Sequence, residues 1–219
     1  ITFHPSTSYE DFVEGIRPIS KSEAASMDGL AEVNVAPPVD GAHWFFTPVE
    51  SSDGSNWGLK DGFFLRQCRR AVESPDQDFL ILIDELNRAN VPKVLGDLLT
   101  TLEASKRAQY DETNEVWSVT DKVARVTLPN SGRLFFVPDN LYVLATLNTS
   151  DRSVAPLDAA LRRRFAFERL EPMDSKTLKD KTSKLEPHID IWAELNKALN
   201  DKIGPDAKLG HSYFFDMNN

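Results

Sequence analysis

Five consecutive apolar residues, Phe79-Leu80-Ile81-Leu82-Ile83, run directly into two carboxylates, Asp84 and Glu85. A segment apolar at every position fits a parallel strand buried on both faces. Its acidic C-terminal end then falls where open α/β sheets bind their ligands. A second such run, Leu141 to Ala145, ends instead in the polar stretch Thr146-Leu147-Asn148-Thr149-Ser150. Helical spacing fills the intervals. Phe64, Leu65, Cys68, Ala71 and Val72 make one apolar stripe, and Leu95, Leu98, Leu99 and Leu102 make another. Pro92 suits the first turn of a helix over 92–105. Strands alternating with helices predict an α/β fold with a parallel sheet.

The remaining segments are organised around that sheet. Residues 1–4 read as a short strand, and Ser8 is a plausible N-cap for a helical turn over 9–15. Residues 20–55 lack periodicity and read as an insertion; its Trp44-Phe45-Phe46 run is expected in the core. The segment 110–137 reads as a hairpin carried on the core. Its Arg125 and Arg133 are candidates for a pore-facing surface, with an ordinary charged hairpin as the simpler expectation. A helix is expected over 157–164, with a last strand beginning at 165–167. After Glu171-Pro172 the texture turns Lys- and Asp-rich, with Ile189, Trp192, Leu195 and Leu199 on one helical face. The expected division is a core over 1–171 and a small α-helical lid over 172–219.

Composition narrows the functional classes. There are 25 Lys and Arg against 34 Asp and Glu, a net charge of −9. An acidic chain is a poor non-specific ligand for DNA or anionic membrane. The single cysteine, Cys68, excludes an intrachain disulfide and suits a cytoplasmic setting. No apolar run reaches membrane-spanning length. His and Cys residues do not cluster at zinc-ligand spacing. The chain begins at Ile1, so it reads as a piece of a longer protein.

Three places carry chemistry. Asp84 is placed to hold a magnesium ion, directly or through water, and Glu85 to orient water for attack on a terminal phosphate. Asn148 can present an amide to the same pocket. Arg162-Arg163-Arg164 precedes an apolar segment, and a guanidinium fork suits phosphate oxygens. On a helix three consecutive side chains cannot all face one way, so at least one is expected to be structural.

Taken in order, these pieces resemble the Walker B, sensor 1 and arginine finger of an AAA+ P-loop NTPase core. The segments 8–15, 83–90, 147–153, 160–165 and 210–214 resemble the McrB type in particular. MoxR-type and dynein-related modules share part of the pattern. The resemblance implies that Asp84 and Glu85 are the Walker B pair and Asn148 is sensor 1. It makes Asp151 and Arg152 site candidates within the signature run. It implies that Arg163 or Arg164 acts on a neighbour's nucleotide, and that Arg88 faces the subunit interface. His211, near the end of the lid, lies roughly where such lids meet nucleotide, although a histidine bonded to backbone is the simpler expectation. GTP or ATP as substrate, Mg2+ as cofactor, a homo-oligomeric and usually hexameric ring, and an McrC-like nuclease partner are also implied. DNA would be met through a separate domain or that partner. The expected function is thus the motor of a restriction or antiviral defence system. A MoxR-like remodelling chaperone and a non-catalytic scaffold are the alternatives. In one respect the chain departs from the pattern: no Gly-x-x-x-x-Gly-Lys-Ser/Thr loop occurs in it. In the family that loop lies just upstream of the segment matching Ile1, so these residues alone are expected to be inactive.

Overall fold

A computed structural model describes residues 1–18, 33–36, 43–46, 57–148, 159–181, 186–212 and 214. The chain divides into two compact units. One is formed by 1–148 and 154–165, the other by 149–153 and 166–219.

In the first unit the order is α1 (Tyr9–Phe12), β1 (Glu14–Pro18), β2 (Val35–Ala36), β3 (Trp57–Asp61), α2 (Phe63–Glu73), β4 (Phe79–Ile83), α3 (Val91–Leu95), β5 (Gln109–Asp111), β6 (Val116–Ser118), β7 (Val126–Thr127), β8 (Leu134–Phe135), β9 (Leu141–Ala145) and α4 (Ala159–Arg162). The two apolar runs pair with each other. β4 and β9 are parallel, in register from Phe79 opposite Leu141 to Ile83 opposite Ala145. Ile1 to Phe3 lies along the other edge of β4, where Thr2 bridges Asp84 in parallel. The Phe3 N–H donates to Asp84 O at 2.9 Å.

One face of this sheet forms the core with α2, whose Phe64, Leu65, Cys68, Ala71 and Val72 are all buried, the stripe expected from spacing. Ile81 and Ile83 point into that core at 2% and 3% exposure. Their strand neighbours do not. Leu80 and Leu82 are 65% and 50% exposed, and Tyr142 and Leu144 opposite them are 51% and 54% exposed. The expected burial on both faces is therefore realised on one. Side chains alternate across a strand, so a strand apolar at every position still needs a second covering layer.

Gly62 fixes how α1 and α2 meet. Its N–H donates to Val13 O at 2.5 Å, and a Cβ there would lie 2.4 Å from the Phe12 carbonyl carbon. The expected helix over 92–105 is shorter. Regular α-helix stops at Leu95, and Gly96, at φ +53°, turns the chain into 3-10 geometry through Leu102. The leucine stripe is buried all the same. The expected hairpin over 110–137 is two hairpins, β5 with β6 and β7 with β8. Trp44, Phe45 and Phe46 are buried against Phe135 and Phe136, with Phe45 and Phe135 centroids 4.9 Å apart. Of the insertion over 20–55, only 33–36 and 43–46 fall among the described residues.

Arg133 is not on a hairpin surface. Its side chain is 2% exposed and reaches Glu14 at 3.2 Å and Asp61 at 2.6 Å, while its Nη1 donates to Phe45 O at 2.8 Å. Arg69 takes the other Asp61 oxygen at 2.6 Å. Glu14 also accepts the Asn130 and Ser131 N–H groups, each at 3.0 Å. A buried charge persists only when paired and hydrogen-bonded, and this cluster meets that condition. Arg125 stays at the surface, 3.8 Å from Asp121.

The second unit is helical, with α5 (Ser175–Lys181) and α6 (Glu186–Lys202) around Leu178, Ile189, Trp192 and Phe214. Leu195, expected on the buried face of α6, is 45% exposed; Asn196 is buried in its place. Its amide donates to Leu209 O at 3.0 Å and accepts Leu209 N–H at 2.7 Å, which satisfies it inside. No strand forms at 165–167, and Phe167 is 51% exposed.

Candidate nucleotide site

Four of the residues singled out from sequence, Asp84, Glu85, Arg88 and Asn148, lie where β4 and β9 end side by side. Beyond Ile83 the chain cannot continue the ladder. The Thr146 N–H donates to Ile83 O, and the Leu86 N–H donates to Thr146 O, both at 2.9 Å. Between these bonds lie Asp84, exposed, and Glu85, partly exposed. Glu85 adopts φ 59° and ψ 41°, the left-handed region that residues with side chains seldom occupy. Local strain of this kind persists where surrounding contacts impose it, and it clusters at functional sites.

The two strand ends are tied by side chains as well. The Thr146 hydroxyl donates to Asp84 Oδ1 and accepts the Glu85 N–H at 3.2 Å. Asn87 Nδ2 donates to Asn148 O at 2.9 Å. Arg88 Nε lies 2.5 Å from Glu85 Oε2, an ion pair one turn along a 3-10 helix that spans Leu86–Arg88. Asp84, Glu85, Arg88 and Asn148 therefore share one small region at the C-terminal edge of the parallel pair. Thr146 and Asn87 also belong to it. The sequence signal for Thr146 is its place directly after the apolar run 141–145, and for Asn87 its place next to Arg88.

The arginines separate. Arg164 is partly buried; its Nη1 donates to Ala160 O at 2.7 Å, and its Nε lies 3.4 Å from Glu103. Arg162 and Arg163 are exposed. Asp151 and Arg152 lie outside the described residues, as does Tyr213. In the helical unit, His211 Nδ1 accepts the Met173 N–H at 3.0 Å, the backbone bond that was the simpler expectation.

The donor set suits a hard cation. Asp84 offers carboxylate oxygen at an exposed strand end, one atom of it held by a hydroxyl. Mg2+ commonly takes one or two protein carboxylates and completes its shell with water and substrate phosphate. Among the described residues no group of three His, Cys, Asp or Glu side chains could hold a metal by itself. No described helix is long and apolar enough to cross a membrane.

Parallel strands that end in an acid pair and in a polar, amide-bearing loop, followed by an arginine run, define an AAA-type nucleotide module. The chain belongs to the AAA domain family, dynein-related subfamily, whose model matches residues 43–165. Within it the module is of the McrB type. It is 32% identical over 225 residues to the type IV methyl-directed restriction enzyme EcoKMcrB subunit of Escherichia coli strain K12, an alignment that covers 98% of this chain and 39% of that protein. It is also 26% identical over 220 residues to the type II restriction enzyme BsuMI component YdiS of Bacillus subtilis strain 168, covering 96% of this chain and 61% of that one. The chain thus spans about two fifths of the first relative and three fifths of the second.

Proposed function

We propose that this chain is the catalytic module of a GTP- or ATP-hydrolysing motor subunit in a DNA restriction system, working as a ring beside a nuclease partner. The observation that carries the proposal is the meeting of Asp84, Glu85, Arg88 and Asn148 at the joined ends of β4 and β9. Asp84 holds the metal side of the nucleotide, where a bound Mg2+ would offset phosphate charge. Glu85 orients the attacking water and receives its proton. Asn148 fixes that water or the terminal phosphate from the adjacent strand. Arg88 lies beside Glu85 and keeps a cation next to the developing charge. Arg163 is the better candidate for action on a neighbour's nucleotide, because Arg164 is committed to Ala160 and Glu103 within its own unit. Asp151 and Arg152, which follow Asn148 in sequence, remain site candidates. Hydrolysis also requires a phosphate-cradling loop and its lysine, which these residues do not contain. Both relatives are named as restriction components, which supports the choice of system.

The test is magnesium-dependent turnover of GTP and of ATP by the intact parent protein, alone and with a candidate nuclease from the same locus, alongside the mass of the assembly. Turnover that rises with the nuclease and with ring formation is expected. A monomer without turnover under every condition contradicts the proposal.

A further inference from the structure

The Thr146 hydroxyl stands between the two acids. It donates to Asp84 Oδ1 and accepts the Glu85 N–H at 3.2 Å. The same residue's main chain bonds Ile83 O and Leu86 N–H, each at 2.9 Å. Thr146 thus holds four successive residues, 83–86, across the gap between the strands. The hydroxyl serves where the backbone cannot. Glu85 has left extended geometry for φ 59°, so its N–H no longer faces a ladder carbonyl and is met by a side chain instead. Thr146 is exposed, so its side chain has little packing to do.

We propose that Thr146 is the positioning residue of the carboxylate pair. Resting on the nucleotide-hydrolysis reading above, its hydroxyl fixes the Asp84 carboxylate by one oxygen and holds the Glu85 peptide in the left-handed turn. With both bonds made, the two acids are carried on a fixed backbone, where Asp84 would hold a metal and Glu85 would orient water. A rigid constellation needs such outer contacts, since small misplacements of catalytic groups are expensive in rate.

Thr146→Val keeps shape and β-branching but deletes both hydroxyl bonds, whereas Thr146→Ser keeps them. In the intact protein, turnover, KM for nucleotide and the Mg2+ concentration for half-maximal turnover are measured for both variants, with Glu85→Gln as control. The valine variant is expected to lose roughly ten- to hundredfold in kcat. It should also require more Mg2+, with KM within about twofold of wild type and melting unchanged. The serine variant is expected to stay near wild type in all three. A valine variant with wild-type kcat and Mg2+ requirement overturns the assignment, as does a serine variant that falls as far as valine, since that result belongs to the methyl group. These outcomes differ from failure of the hydrolysis reading itself. That failure appears as an absence of magnesium-dependent turnover in wild type, or as turnover that survives Glu85→Gln, and it overturns the assignment as well.

Discussion

Two arginines show how far residue type alone can mislead. Arg125 and Arg133 look alike in sequence, yet one is a surface charge and the other is enclosed by Glu14, Asp61 and the Phe45 carbonyl. Removing one partner of a buried pair leaves uncompensated charge, which typically costs about 3–5 kcal/mol. Arg133→Ala should therefore lower the unfolding free energy by about that much, while Arg125→Ala should change it by less than about 0.5 kcal/mol. Equal, small losses in urea denaturation would show that the buried cluster contributes little. The same contrast separates Arg163 from Arg164. Arg163→Ala should leave stability intact and cut hydrolysis only in the assembled ring. Arg164→Ala should lower the melting temperature, because Ala160 O and Glu103 lose their cation. If dilute, unassembled protein carrying Arg163→Ala loses turnover by the same factor, its action across subunits is wrong.

At the level of elements, α1 depends on a reciprocal cap. Ser8 Oγ accepts the Asp11 N–H at 3.3 Å, and Asp11 Oδ2 accepts the Ser8 N–H at 3.2 Å. The Arg17 guanidinium bonded to Asp11 holds its carboxyl below the ordinary 3.8, with Ser8 adding to the effect. A carboxyl whose folded pKa lies below its unfolded one stabilises the fold above the unfolded value and loses that contribution as pH falls through the folded one. Asp11→Asn should thus flatten the acid limb of a melting-temperature profile taken from about pH 5 down to about pH 2. An unchanged limb would remove Asp11 from the account. The elements most legible in sequence were those fixed by local pattern. The stripe of α2, the two apolar strands and the acid pair follow from periodicity and from where an apolar run stops. The helix over 92–105 was misread because Gly96 looks harmless in a helical pattern until its positive φ is seen. Leu195 and Asn196 exchanged roles because a buried amide is stable only with Leu209 beside it, a contact between residues thirteen apart in sequence. Thr146 escaped notice for the same reason, since its partners lie on the neighbouring strand.

For the whole molecule, the uncovered sheet face is the strongest statement. Leu80, Leu82, Tyr142 and Leu144 form an apolar surface that would cost little to polarise if water were its natural neighbour. Parallel strands are normally covered on both faces, so this face is expected to be covered in the intact protein. Leu144→Gln in the intact parent should then destabilise by about 2 kcal/mol, the scale of losing a buried aliphatic side chain. A change under about 0.5 kcal/mol would mean the face is exposed there too. The central claim, that the acids at the end of β4 hydrolyse nucleotide, is tested most directly by Glu85→Gln in the intact protein, with nucleotide affinity and turnover measured on the same preparation. The account predicts affinity within about threefold of wild type and turnover lowered by at least about a hundredfold, the pattern of a group that acts only in the transition state. Turnover near wild type would contradict it.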